Sequence, residues 1–218
     1  MDYDVSSKVE RRGILAGMLL GKGYRNQNNF YIQDAGDREE YLIFKKDILE
    51  RITSKPVSLQ RWNSKNGQQL RIEPKLIPII RVLVKKLYPG GTPKITPEFL
   101  EFLTPQGIAI WFMDKGSRSL KKNQGQVHAL EIYLNTHLTK EYNEVIVAYF
   151  SQKWGFKWGL SKTKTAYRLR MGTKEGKRFL TFIRPYVPQT MLYKVETESA
   201  QSESHQAPPT SSNTTATT

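Results

Sequence analysis

The side chains of this chain best placed to act on a ligand are cations. Lys22 follows the apolar run Ile14-Leu15-Ala16-Gly17-Met18-Leu19-Leu20-Gly21 and precedes Gly23, while Lys115 follows Ile108-Ala109-Ile110-Trp111-Phe112-Met113-Asp114 and precedes Gly116. A protonated lysine offers three donors and no acceptor, so a pair of them suits phosphate oxygens and repels a metal ion. A second set of polar and basic residues alternates with apolar ones in segments of strand character. These are Arg25; Gln60 with Arg61; Gln69 with Arg71; Arg118, Lys121 and Lys122; and Lys162, Lys164, Arg168 and Arg170. An antiparallel sheet with one face on helices and such residues on the other fits a DNA major groove, where Arg pairs with guanine and Gln or Asn with adenine. Phosphate contacts add affinity that falls with salt. RNA-binding sheets expose rings for base stacking, and here the aromatics are assigned mostly to inward positions, so duplex DNA is the expected partner.

Composition agrees. The 218 residues carry 34 Lys+Arg against 20 Asp+Glu, a formal charge of +14, which favours a polyanion. Absence of cysteine excludes disulfides, thiolate metal sites and a Cys nucleophile. His128, His137 and His205 lack ligand-like spacing. No apolar run is long enough for a membrane span and the N-terminus is charged rather than signal-like, so a soluble, intracellular protein without a membrane partner is expected.

The elements that must position the cations read as helix, hairpin, helix, hairpin, helix, twice over. Ser7 with Glu10 forms a capping box for the first helix, which runs to about Gly21. A hairpin turns at Asn26-Gln27-Asn28-Asn29, a helix over 37–52 follows with Asp37 as its cap, and Asn66-Gly67 marks a second hairpin. A helix over 75–88 with Pro78 in its first turn ends at Pro89-Gly90-Gly91. In the second half Thr104 and Pro105 open a helix to about Lys115, and a hairpin turns near residues 123–125. Thr139 and Gly155 bracket the next helix, 156–171 form a hairpin, and 173–184 the last helix. Ala16, Gly17 and Ala109 are small enough to let the two repeated helices approach closely, Gly23 and Gly116 are assigned left-handed caps, and Lys22 and Lys115 are expected side by side. The chain divides into a leader over 1–6, a first half over 7–92, a connector over 93–103, a second half over 104–195, and a tail over 196–218. The tail has no Lys, Arg or aromatic residue and is expected to be disordered. Asp34 has no role in this pattern.

With both segments in hand, the chain resembles the LAGLIDADG homing endonucleases, specifically the single-chain branch that carries the motif twice. Leu103-Thr104-Pro105 with Ala109 to Asp114 is the most specific match, and Pro185-Tyr186 with Gln189 to Lys194 resembles that branch's closing segment. The resemblance implies an α+β fold of two pseudo-twofold halves, each a saddle-shaped sheet backed by helices, packed through the motif helices. It also implies magnesium-dependent cleavage of both strands at a long, degenerate site, usually an intron's or intein's insertion point. In that family an acid before the final glycine of each motif holds the metal. Here Lys22 and Lys115 stand at both positions, so no metal is expected in this chain and cleavage is expected to be lost or strongly impaired. Asp114, one residue back, points about 100° away. Lys94 and Lys194 match supporting lysines of the family. Two alternatives stay open: an endonuclease using other carboxylates, with Glu10, Glu73 and Glu131 available, and an intron maturase or other RNA-binding splicing cofactor.

Overall fold

The computed structural model describes residues 3–196 except 66, 124 and 125, and leaves out the side chains of 122, 123, 126 and 127. The first half runs α1 (Lys8–Leu20), β1 (Gly23–Asn26), β2 (Asn29–Ala35), α2 (Glu39–Thr53), β3 (Leu59–Ser64), β4 (Gly67–Ile72) and α3 (Pro78–Leu87). After a connector holding the short α4 (Pro97–Leu100) come α5 (Pro105–Lys115), β5 (Gly116–Asn123), β6 (Gln126–Leu134), α6 (Lys140–Trp154), β7 (Gly159–Lys162), β8 (Tyr167–Met171) and α7 (Thr173–Ile183). Two antiparallel sheets share one topology, β1-β2-β4-β3 and β5-β6-β8-β7, which makes the protein an α+β fold of two equivalent halves.

Strand alternation sets the layers. Phe30 and Ile32 of β2 and Leu70 and Ile72 of β4 are buried, and Ile32 pairs with Ile72. Leu130, Ile132 and Leu134 of β6 do the same with Leu169 and Met171 of β8. Because side chains on a strand alternate, the intervening residues face away from the helices. Ser7 caps α1 by accepting the Glu10 N–H at 3.0 Å, and Gly67 and Gly155 take positive φ at a hairpin turn and a helix end.

The halves meet where α1 and α5 touch backbone to backbone. A Cβ on Gly17 would lie 2.1 Å from Gly107 O, and one on Gly107 2.0 Å from Gly13 O. Ala16 and Ala109 are fully buried beside this contact. Across the same interface the ammonium of Lys45 on α2 lies 2.9 Å from Asp114 Oδ1 on α5, with neither side chain exposed. Lys45 also sits 4.3 Å from the Tyr41 ring centroid.

Several expectations require correction. Gly23 and Gly116 do not adopt left-handed conformations; Gly116 has φ −77°. They are glycines for steric reasons, since the chain doubles back from helix to strand: a Cβ would lie 2.8 Å from Met18 O at Gly23 and 2.4 Å from Phe112 O at Gly116. The third helix begins at Pro78 rather than at 75, as proline favours the first helical position. Asp37 does not cap α2; it lies in the 3-10 turn Gly36–Arg38. The proposed leader contributes Tyr3 to the core, where its hydroxyl donates to Tyr186 O at 2.7 Å and the Asp4 N–H to Gln106 Oε1 at 2.8 Å. From residue 197 the tail lies outside the described residues, as does most of the turn at 123–125.

Gly17→Val is expected to lower unfolding free energy in urea by about 3 kcal/mol, because the added carbons meet backbone that cannot yield. Asp114→Ala, which strands a buried ammonium, is expected to cost about 3–5 kcal/mol by the same measurement, with Lys45→Met in the same chain recovering most of the loss.

Candidate nucleic-acid interface

The motif helices deliver Lys22 and Lys115 to one place. Lys22 leaves α1 with its N–H donated to Asp114 Oδ2 at 3.2 Å, and its ammonium forms an ion pair with Asp34 of β2. Arg38 Nε stands 4.0 Å from the same Asp34 oxygen. Burial pushes the Lys115 ammonium down from its ordinary range; Asp114 works against the shift and Lys22 adds to it, which places the two lysines in each other's field. Lys194, in the closing 3-10 turn Gln189–Lys194, donates to Gly116 O at 2.8 Å. Its ammonium is pushed down to about 8, chiefly by burial, then by the charge of Arg38, with Lys22 adding and Asp114 and Asp34 opposing. Lys22, Arg38, Lys115 and Lys194 therefore surround two carboxylates. Asp34 was not anticipated from sequence, although an acid at an inward strand position, two residues after Ile32, signals a buried partner. Lys94 is exposed on the connector, its N–H donated to Leu87 O at 2.7 Å, and among the described residues no side-chain contact brings it to the cluster.

The outward sheet faces carry part of the expected set. Gln60, Gln69 and Arg71 face away from the helices on the first sheet, and Lys121, Arg168 and Arg170 on the second. Lys122 lies in β5, but its side chain is outside those described. Register places the others elsewhere. Arg61 pairs with inward Leu70 and turns to Glu39 at the start of α2. Arg25 and Arg118 pair with inward Phe30 and Ile132 on edge strands, and their guanidiniums bond the carbonyls of Gly91 (3.1 Å) and Glu196. Lys162 pairs with Tyr167, and both line a depression of about 500 Å³ with Lys164, His137 and Lys140. Alternation was legible in the sequence, but register, which decides the face at strand ends, was not.

The aromatics also depart from expectation. Tyr24 and Tyr31 stack on the outward face of the first sheet with centroids 5.4 Å apart, and Trp62 is outward and 37% exposed. Guanidinium groups cover two outward rings, Arg71 over Tyr31 at 3.8 Å and Arg168 over Tyr133 at 3.7 Å. Such rings lie flat under a cation, so a surface tyrosine is stabilised without an apolar partner.

The three alternative carboxylates are engaged. Glu10 accepts Gln106 Nε2 at 2.6 Å, at the end of α1 remote from Lys22. Glu73 binds Arg71 at 2.5 Å. Glu131 accepts the Tyr133 hydroxyl at 2.5 Å, the Arg170 guanidinium and Lys121 at 3.1 Å, and these three hold its carboxyl down at about 2. Magnesium wants several oxygen donors. At the helix ends the nearest carboxylates, Asp34 and Asp114, are 1% and 0% exposed at the side chain and already lie against lysines. Two buried carboxylates already held by lysines do not offer the ion an open set of oxygen donors.

Comparison with known proteins is consistent with this architecture. A family model described as the LAGLIDADG DNA endonuclease family matches residues 12–179. The homing endonuclease I-WcaI, solved bound to its DNA recognition sequence, superposes with a TM-score of 0.72 at 20% identity, covering 87% of each chain. The meganuclease I-SmaMI, solved bound to uncleaveable DNA, gives 0.52 at 14% identity over 83% of this chain and 85% of its own. Both show the shared fold. Among curated proteins, RecA of Mycobacterium leprae (strain TN) is 27% identical over 199 residues, covering 84% of this chain and 27% of that protein. RecA of Mycolicibacterium flavescens is 24% identical over 198 residues, covering 84% and 45%. The chain thus spans less than half the length of these curated relatives. No helix among the described residues is long and apolar enough to cross a membrane. With a family model covering most of its length and the paired motif helices at its centre, the chain belongs to the LAGLIDADG DNA endonuclease family.

Proposed function

We propose that this chain is a monomeric, two-motif, sequence-specific binder of double-stranded DNA whose nuclease centre has become a phosphate-binding cluster, so that it holds its site without efficient cleavage. The observation that carries the reading is the exchange of charge at the helix ends: Lys22 and Lys115 stand at the acid positions, and Asp34 and Asp114 compensate them from within. The two outward sheet faces supply donors and acceptors for base edges in the major groove. Lys22, Lys115 and Lys194 supply positive charge to the phosphates between the half-sites, where family members place metal ions. Bringing a phosphate to this cluster lets Lys194 hold its proton at a higher pH than it does alone. A second reading, binding of unpaired RNA as a splicing cofactor, draws support from the stacked Tyr24 and Tyr31 and from exposed Trp62. Competition between structured RNA and duplex for the same protein separates the two.

Incubated with a bound duplex and magnesium, the protein is expected to leave both strands intact while retaining affinity in a parallel binding assay; efficient double-strand cutting would sink the reading. Lys22→Ala with Lys115→Ala is expected to weaken binding and to reduce the slope of log K against log salt by about two, one per lost phosphate contact. Lys194 is lowered to about 8 in the free protein and held protonated to higher pH by bound phosphate, so affinity is expected to be flat well below that value and to fall as pH rises through it and beyond. The Lys194→Met chain, titrated in the same way, should show a flatter profile.

A further inference from the structure

The two outward sheet faces have the same topology and unlike chemistry. On the first, Arg71 is the single guanidinium at an outward register position among the described residues and its charge is balanced one for one: it lies over Tyr31 and its Nη2 is 2.5 Å from Glu73 Oε2, whereas on the second face three cations share one carboxylate. Glu73 Oε1 in turn accepts Asn26 Nδ2 at 2.7 Å. Around this neutralised pair the face is amide and aromatic, with Gln33, Gln60, Gln69, Tyr24 and Trp62 at outward register positions. The second face is cationic. Lys121, Arg168 and Arg170 stand on β5 and β8, with Glu131 and Tyr133 of β6 between them. Glu131 fixes Arg170 and Lys121, and Tyr133 carries Arg168 on its ring while donating its hydroxyl to Glu131.

These groups read different bases. A side-chain amide pairs with N6 and N7 of adenine and an apolar edge meets the thymine methyl, whereas a guanidinium pairs with O6 and N7 of guanine. Glu131 sharpens the second case. A carboxylate on the DNA-facing surface repels phosphate, and it fixes the arginine before binding, so less side-chain freedom is lost on contact with a base. Resting on the duplex-binding reading above, we propose that the target is compositionally lopsided: A·T-rich beneath the first sheet, with guanines beneath the second read by Arg170 and Arg168. Glu131 is the positioning residue that reserves Arg170 for a base edge rather than the backbone.

The test is selection from a randomised duplex library by binding to the full chain, without a cleavage step. Recovered sites should be A·T-rich in one half and contain fixed guanines in the other. Arg170→Ala should reduce discrimination at the guanines about tenfold and leave the A·T half unchanged; Gln60→Ala with Gln69→Ala should do the reverse. Glu131→Gln should lower guanine discrimination about fivefold while affinity for unrelated duplex rises, whereas a merely structural role would lower both together. Halves of equal composition, or an Arg170→Ala chain weakened equally on every sequence, would overturn the inference and leave duplex binding standing. Failure to enrich any duplex would overturn both.

Discussion

No side chain separates α1 from α5 at their crossing. Gly17 on one and Gly107 on the other let peptide groups meet directly, Gly13 leaves room for the Thr104 side chain, and the distances there would not admit a methyl group. Everything functional is placed by that contact. It brings the two helix exits together, so that the lysines ending them share one electrostatic environment, and it fixes where β1 and β5 depart. Gly23 and Gly116 then stand where the chain turns from buried helix into edge strand, with no room for a Cβ. The position of each sheet relative to the central cluster is therefore set by backbone geometry, not by the flexible side chains on its outward face.

The charge pattern follows the same logic at a second level. A cation brought into a half-buried site beside another cation is costly unless acids are near. Asp34 and Asp114 meet that requirement, one beneath Lys22 and the other shared between Lys45 and the Lys22 N–H. At the helix exit Asp34 lies inside and the Lys22 ammonium nearer the surface, with side chains 1% and 23% exposed, while Lys45 is buried together with Asp114. A nuclease centre requires the opposite order, with carboxylates reaching outward to a metal. Each of the four charged positions is thus consistent with the other three.

Much of this could be read before any coordinates. The repeat, the two halves, the hairpins at Asn26 to Asn29 and at Gly67, and the lysines at the helix ends all announce themselves through periodicity and turn residues, which are local properties. What escaped were nonlocal facts. Gly13 and Gly107 matter only because another helix presses on them, although the four-residue spacing of Gly13 and Gly17 was a visible cue. The inward register of Arg25, Arg61 and Arg118 is set by the strands they pair with. Asp34 gains its role from Lys22, which follows a different element. Tyr3 is a core residue although one aromatic carries no periodicity.

The docking of Tyr3 bears on how independent the two halves are. A residue ahead of the first helix reaches the carbonyl of Tyr186, near the end of the second half, while its neighbour Asp4 and Gln106 bond across the same seam and Lys45 meets Asp114 deeper in. Each half completes its own sheet, yet each also lends the other part of its interior. The halves are consequently complementary rather than interchangeable modules: a chimera joining either to a foreign counterpart would have to transplant this seam as well as the visible helix pair, or leave a phenol and an ammonium group without the neighbours that make their burial tolerable.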